Sequence, residues 1–367
     1  MMASNSIPLL EVRGSHREVG WRIGQVMKSQ IQSMLTGLPD DLPPGISWEE
    51  LLYQGSLYLA HTRAVYPQYV AELEGVAEGA ETPFNEVFLL VCEELWEAAA
   101  WRSGAPRAAK GCTDFAARGQ ATLDGATLLA HTNDLSAQVE DKLVLLKVQA
   151  GDEPRFLGVS VGGIGYSAGF NAAGIGLTGN QVDSNDIRPG VPRLMMVRAI
   201  LAARRLGEAM DVCLLPQRAS NYNNVIADLH GEVYSMEGSA TDYEPVYIAE
   251  DILAHANHYA TPAMRKFEYD RNAIADSVIR HNRAWRLLRE NYGKLSPEQF
   301  QRLLGDHANF PASICKHDGE AVTVFSLILN LTRLRAWIGR GRPCQTEYIE
   351  YCLEPDEYNN RSLSQQL

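Results

Sequence analysis

Apolar residues recur at helical spacing through the first hundred positions. Val19, Ile23, Val26, Met27, Ile31, Met34 and Leu35 fall every three or four residues behind Ser15-His16-Arg17-Glu18. In that tetrad a serine hydroxyl and a glutamate carboxylate can each satisfy a backbone N–H left free at a helix start. Ser47-Trp48-Glu49-Glu50 repeats the device ahead of a second helix. Thr82-Pro83 sets a cap residue and a proline ahead of a third, running through Leu89, Leu90 and Leu95. Helices with one apolar face need a surface to lie on, so this segment reads as a covering layer, incomplete alone.

From Trp101 the texture changes. Arg102 to Gly111 carries basic residues, no acid, and glycine and proline breakers, which predicts an exposed loop. Short β-type runs follow at Cys112–Thr122, Thr127–Thr132, Leu143–Val148, Phe156–Val161, Ser167–Asn171 and Ile175–Asn180. Asp124-Gly125 predicts a two-residue hairpin turn between the first two, which would set Phe115 opposite Asp134 and Cys112 opposite Ala137. Gly162-Gly163 and Ala173-Gly174 mark further turns. A helical pair is expected near Leu194–Arg205 and Glu208–Leu214, then strands near Asn224–Asp228 and Glu232–Met236. A long amphipathic helix spans about Tyr269 to Asn291, another begins at Ser296-Pro297-Glu298-Gln299, and strands at Val322–Leu329 and Arg335–Ile338 close the chain. Strands, then helices, then strands predict an α+β fold with two sheets sandwiched by helices.

Composition narrows the partners. The 367 residues hold 45 acidic and 33 basic side chains, a formal charge of −12, with 46% hydrophobic residues. A net-negative surface speaks against nonspecific nucleic-acid binding and against an anionic membrane. The longest apolar stretch, Ala321 to Leu329, is far short of the ~20 residues that span a bilayer. Met1 to Arg13 has no basic segment followed by an apolar one, so no signal peptide is read there. The six cysteines include no C-x-x-C pair, which predicts neither a zinc ribbon nor a disulfide scaffold and points to a reduced, cytoplasmic protein. No nucleotide-binding glycine motif is present, and no cofactor is expected.

Chemistry concentrates in three places. Gly111-Cys112-Thr113-Asp114-Phe115 stands where the basic loop enters a strand. Read alone, a cysteine there is a small buried hydrophobe, but a glycine carbonyl before it is sterically open to the following thiol. His131-Thr132-Asn133-Asp134 folds back to within roughly 10 Å of Cys112 by strand geometry. An unbroken ladder puts Asn133 on the face of Cys112, and a bulge would put Asp134 there. His255-Ala256-Asn257-His258-Tyr259 offers two histidines three apart without a third ligand nearby, so a metal is not expected there. The Asn257 amide is a candidate donor to a developing oxyanion, although its local sequence favours a turn residue. Arg280, Arg283, Arg286 and Arg289 spread around nearly half of their helix, and read as a solvated basic face rather than an anion site.

Gly111-Cys112-Thr113, Asn133-Asp134, Gly169-Phe170-Asn171-Ala172-Ala173-Gly174 and His255-x-Asn257-His258, in this order and spacing, resemble the acyl-coenzyme A:6-aminopenicillanate acyltransferase family. Thr323-Val324-Phe325-Ser326 and Gly341-Arg342-Pro343-Cys344 resemble its closing strands. The resemblance implies a four-layer αββα sandwich of the N-terminal-nucleophile hydrolases and a precursor that cuts itself before a cysteine. Cys112 would attack the Gly111 carbonyl, giving an α chain of residues 1–111 and a β chain of residues 112–367 that stay associated. The freed α-amine of Cys112 would then be the base for its own thiol, Asn257 the oxyanion donor and Asp134 an acid near the amine, with Thr113, Asn133 and His258 supporting. The substrate would be a small-molecule amide or acyl donor, an acyl-coenzyme A among the candidates. Two features depart from the pattern: Asp114 stands where a small hydroxyl residue is more usual, and the interval from Cys112 to Asp134 is a few residues long. Two other readings remain open. One is a single-chain thiol hydrolase using His255 or His258 as base, and the other a catalytically silent binding protein on the same fold.

Overall fold

The computed structural model describes residues 6–104 and 110–355. Strand β1 (Leu9–Gly14) opens the chain and is followed by helices α1 (His16–Val26), α2 (Lys28–Gly37), α3 (Trp48–Val65), α4 (Pro67–Ala80), α5 (Phe84–Leu89) and α6 (Glu93–Ser103). Strands β2 (Gly111–Gly119), β3 (Gly125–Leu135), β4 (Leu143–Ala150), β5 (Phe156–Val161), β6 (Ile164–Asn171) and β7 (Gly176–Asn180) come next. Helices α7 (Arg193–Leu201) and α8 (Leu206–Cys213) precede β8 (Tyr222–Ala227), β9 (Val233–Gly238), β10 (Tyr243–Tyr247) and β11 (Ile252–His255). Helices α9 (Ala275–Glu290) and α10 (Pro297–Leu304) and strands β12 (Val322–Asn330), β13 (Arg335–Arg340) and β14 (Ile349–Cys352) complete it.

The strands form two sheets. One runs β1-β4-β5-β6-β7-β8-β9-β10, the other β11-β2-β3-β12-β13-β14, and every pairing except β1 with β4 is antiparallel. Alternation along each strand sends one set of side chains between the sheets and the other set outward. Leu129, Ala116, Phe325 and Leu327 of the smaller sheet meet Leu145, Val159, Phe170 and Val225 of the larger one in a shared core. Outward-facing Val148, Phe156 and Tyr166 are covered by Val19, Ile23, Val76, Met195 and Ile200 from α1, α4 and α7. On the opposite side, Phe115, Leu128 and Ile328 pack against Leu287, Leu288, Phe300 and Leu303 of α9 and α10. The order is helix, sheet, sheet, helix: the expected four-layer αββα sandwich. Strand β1 hydrogen-bonds to β4 and α1–α6 cover one sheet, so the N-terminal segment is built into the fold.

The expected helix starts stand at Ser15, whose capping box is complete, and at Ser47 and Ser296, whose hydroxyls each accept a backbone N–H. The first helix breaks at Met27 into two, and the Thr82-Pro83 helix ends at Leu89 before α6. Strands β1, β10 and β14 were not expected: all three are sheet edges, half-exposed, and β10 contains Pro245. Edge strands need no continuous apolar run, so the pattern that marks buried strands is missing from them.

One register differs in a way that matters. Asp124-Gly125 does not make a two-residue turn; Gly125 pairs with Gly119, and the ladder shifts between Ala117 and Gly119. Gly119 has φ 53° and Gly125 φ 77°, and the Leu123 N–H donates to Leu295 O, so the intervening residues curl outward onto the α9–α10 connection. The pairing therefore sets Cys112 opposite Asn133 and Gly111 opposite Asp134, not Cys112 opposite Ala137. Of the expected basic loop, residues 105–109 lie outside the described residues, and Arg102 and Ser103 belong to α6.

Candidate active site

Cys112 is the second residue of β2, 6% exposed, at the edge of a cavity of about 240 Å³. Met34, Leu90 and Lys110 line that cavity together with Asn133, Ile164, Tyr166, Gln181, Leu194 and Tyr222. It is thus walled by residues from both sides of Gly111, mostly apolar with a few polar groups, as ligand pockets generally are.

The backbone of Cys112 is held at both ends. Its N–H donates to Asn257 Oδ1 at 2.8 Å, and its carbonyl accepts from Arg280 Nη1. Arg280 also donates through Nη1 to Thr113 Oγ1 (2.9 Å) and through Nη2 to the same Asn257 Oδ1 (2.8 Å). Its Nε is paired with Asp276 at 2.8 Å. The guanidinium fork reaches all these acceptors at once, a task a lysine cannot perform. Asn257 turns its Nδ2 to the Gln181 carbonyl (2.9 Å), and its own N–H donates to Ser277 Oγ (2.6 Å). The Ser277 hydroxyl in turn lies 2.7 Å from His258 Nδ1, so His258 supports Asn257 from behind.

Gly111 lies against Asp134. A Cβ added at Gly111 would meet Asp134 Oδ2 at 2.8 Å, so no larger residue fits without a shift. Asp134 is fully buried; Oδ1 accepts from Thr323 Oγ1 at 2.7 Å, and Oδ2 has no hydrogen-bond partner. Burial raises its pKa, against the opposing pull of Arg280, Lys316 and Thr323.

The face that Cys112 shares with Asn133 also carries Asp114 and His131, a direct pair in the ladder. Asp114 Oδ1 lies 2.7 Å from His131 Nδ1, both residues buried. Burial opposes charge on this imidazole, but the Asp114 carboxylate and hydrogen bonds to Asp114 and Cys112 override it and raise the pKa to about 10. The shift favours the protonated imidazole on the strand face that carries Cys112.

The structure thus brings Cys112, Gly111, Thr113, Asn133, Asp134 and Asn257 together, with His258 behind them. His255 serves elsewhere: Nε2 faces Glu237 Oε1 at 2.7 Å and Nδ1 faces Asn180 Oδ1 at 3.0 Å. His258 is depressed to about 4 by burial and by His255. The histidine on the face of Cys112 is His131, and Asp114, the acid that departed from the expected pattern, is its partner. Arg280 corrects the reading of α9 as a solvated basic face: it is 1% exposed and reaches the Cys112 carbonyl. Its signal was a lone arginine among four, indistinguishable by spacing. Arg193 was also missed; it is buried, lines the cavity, stacks over Tyr222 at 4.9 Å, and has an unpartnered Nε.

Residues 121–345 match the family described as acyl-coenzyme A:6-aminopenicillanic acid acyl-transferase. The chain belongs to this family. The acyltransferase family match is accompanied by similarity to the 40 kDa form of acyl-coenzyme A:6-aminopenicillanic-acid-acyltransferase of Emericella nidulans, 24% identical over 351 residues, 90% of this chain and 92% of that one. A beta-alanyl-dopamine/carcinine hydrolase of Drosophila melanogaster is 28% identical over 229 residues, 56% of this chain and 57% of that protein. Among solved structures, penicillin V acylase from Agrobacterium tumefaciens aligns with a TM-score of 0.40 at 12% identity, over 66% of this chain and 86% of that one. Membership in the acyltransferase family makes this an enzyme of acyl transfer or amide hydrolysis acting on small molecules. Among the described residues, no helix is long and apolar enough to cross a membrane.

Proposed function

We propose that the protein is a self-processing N-terminal-nucleophile enzyme that cleaves or transfers an amide-linked acyl group through a thioester on Cys112. The observation that carries the reading is the double anchorage of Cys112, N–H on Asn257 and C=O on Arg280, with the preceding glycine pressed on a buried carboxyl group. In processing, Sγ of Cys112 adds to the Gly111 carbonyl carbon, the C–N bond breaks, and the nitrogen takes up a proton to become a free α-amine. Water then hydrolyses the thioester, returning the thiol and leaving Gly111 as a carboxylate. Asp134, a buried acid with a raised pKa beside the scissile residue, is the proposed proton donor.

After cleavage, residues 1–111 and 112–367 stay together through the β1–β4 ladder and the core under α1–α6. The α-amine, with an ordinary pKa of ~7.7–8.0, is the proposed base for the thiol. Asn257 Oδ1 already faces that nitrogen and keeps it oriented. The cationic His131 stabilises negative charge on sulfur, as a positive group beside a thiolate does.

The oxyanion donor follows from hydrogen-bond inventory. Asn257 gives one Nδ2 hydrogen to the Gln181 carbonyl, which leaves its second for an oxyanion. Asn133 shares the face of Cys112 and lines the cavity, with Nδ2 3.4 Å from His131 Nε2 and a buried Oδ1 left unpartnered. A doubly protonated His131 is better met by Oδ1, which turns the Asn133 amide NH₂ to the cavity. We assign the oxyanion contact to Asn133 and Asn257 jointly.

A cavity of about 240 Å³ suits a small, largely apolar acyl group. If the donor is an acyl-coenzyme A, its carrier portion lies outside this cavity. Reducing cytoplasm suits a thiol nucleophile and the other free cysteines. The test is the intact mass of the purified protein: two chains with a new N-terminus at Cys112 are expected, and one uncut chain for Cys112→Ala. A wild-type chain that stays whole through long incubation at neutral pH overturns self-processing. The Asp114–His131 pair supports a second reading, a single-chain thiol hydrolase; it requires activity from an uncut chain.

A further inference from the structure

Four side chains from two loops converge beyond α10. His307 follows that helix, Cys315 and His317 lie in the loop leading to β12, and Cys344 lies between β13 and β14. Nε2 of His317 is 3.0 Å from Nε2 of His307, 3.1 Å from Sγ of Cys344 and 3.5 Å from Sγ of Cys315. The two sulfurs are 3.7 Å apart, and all four ligand atoms lie within 4.8 Å of one another.

Zinc held tetrahedrally, with Zn–S of about 2.3 Å and Zn–N of about 2.0–2.1 Å, requires S···S of about 3.8 Å, S···N of about 3.5 Å and N···N of about 3.3 Å. The three edges from His317 and the edge between the sulfurs fall near those values, and the remaining two are within 4.8 Å. Hydrogen bonding explains the cluster poorly: two imidazole nitrogens and two sulfurs face a common centre with few protons to share. A cation there satisfies all four lone pairs together.

We propose that His307, Cys315, His317 and Cys344 bind one Zn²⁺ ion as a closed Cys₂His₂ site. Soft sulfur with imidazole selects zinc over magnesium or calcium, and four protein ligands leave no open position, so the role is structural. The absence of C-x-x-C pairs therefore does not exclude zinc from this chain; the cysteines meet only in the fold.

The position suggests what the ion holds. Lys316 stands between two ligands; its Nζ pairs with Asp276 Oδ1 at 2.9 Å, and its N–H donates to Thr323 Oγ1 at 2.9 Å. Asp276 holds Arg280, and Thr323 holds Asp134. Fixing residues 315 and 317 thus fixes the groups behind Gly111 and Cys112.

The experiment uses the full chain, untagged, dialysed against metal-free buffer. Elemental analysis should find about one zinc per chain, falling to about a tenth of that in Cys344→Ser and in His307→Ala, with Cys352→Ser unchanged. Cobalt loaded into stripped protein should give the intense visible bands of a tetrahedral sulfur-ligated ion. In the wild-type protein, a mercurial titrant should release zinc as thiols are consumed, a measurement that needs no variant to fold. The proposal is overturned if no zinc is retained and cobalt gives only weak octahedral bands. It is equally overturned if Cys315 and Cys344 are found joined as a disulfide in protein purified without oxidant.

Discussion

Asp114 and His131 face each other across the β2–β3 ladder, Oδ1 to Nδ1 at 2.7 Å, two rungs along and on the same face as Cys112 and Asn133. This pair sets the charge on the strand face of Cys112. Asp114→Asn removes the carboxylate that holds the proton on His131. The folded pKa of His131, about 10, is above its unfolded value of about 6.5. The stability this contributes is fully present below about pH 6.5 and is lost as pH rises through about 10. The wild-type advantage over Asp114→Asn, measured by denaturant unfolding in the uncut Cys112→Ala background, should therefore be largest near pH 6 and shrink steadily towards pH 10. A gap independent of pH would show that His131 carries no charge in the fold.

Asp134 titrates in the opposite sense from a salt-bridged carboxylate. Its folded pKa is raised by burial, so the fold opposes ionisation, and its contribution is full below the unfolded value of about 3.9 and is lost as pH rises through the raised folded value. Asp134→Asn should equal or exceed the wild type in stability at neutral pH, because the amide keeps the bond from Thr323, and the difference should close as pH falls towards 4. The same variant should slow self-cleavage by about 100-fold or more, the usual worth of a general acid. Cleavage at the wild-type rate would remove Asp134 from the chemistry.

Arg280 should tolerate no replacement. Arg280→Ala leaves Cys112 O, Thr113 Oγ1, Asn257 Oδ1 and Asp276 short of a donor, and should cost about 3 kcal/mol of stability. Arg280→Lys should restore part of the stability and little of the processing, since one ammonium cannot span these acceptors. The check is thermal unfolding alongside the time course of the α and β chains by mass. Full rescue by lysine would mean that charge alone is needed.

Gly111→Ala tests the contact with the acid directly. The added Cβ would stand 2.8 Å from Asp134 Oδ2, so either strand β2 or the carboxyl group must move. Self-cleavage should slow by about tenfold or more while the protein still folds, losing about 1–3 kcal/mol. Unchanged cleavage would place the reacting geometry elsewhere.

Asn257→Ala and Asn133→Ala should both lower turnover of a processed enzyme, by about 10²-fold if each donates to the oxyanion. They should differ in processing, where only Asn257 touches the Cys112 nitrogen. Unchanged turnover in Asn257→Ala would remove it from the site.

Local signals along the chain determined much of the outcome. The capped helix starts at Ser15, Ser47 and Ser296 were legible because a hydroxyl and the free N–H groups of a first turn meet within four residues. The buried strands were legible because a sheet covered on both faces needs continuous apolar runs. The order Gly111-Cys112, Asn133-Asp134, His255-x-Asn257-His258 named in the sequence a set of residues that the fold brings together. Tertiary structure decided what contact depends on. A positive-φ bulge at Gly119 moved the hairpin register and thereby seated Cys112 on Asn133 and Asp114 on His131. Helix packing chose Arg280, out of four arginines at the same spacing, to reach Cys112 from 168 residues away. Two loops brought His307, Cys315, His317 and Cys344 to one point. Periodicity reports which face of an element is buried; it carries no information on which element lies against that face, and that pairing is where the charge, the fork and the ligand cluster come from.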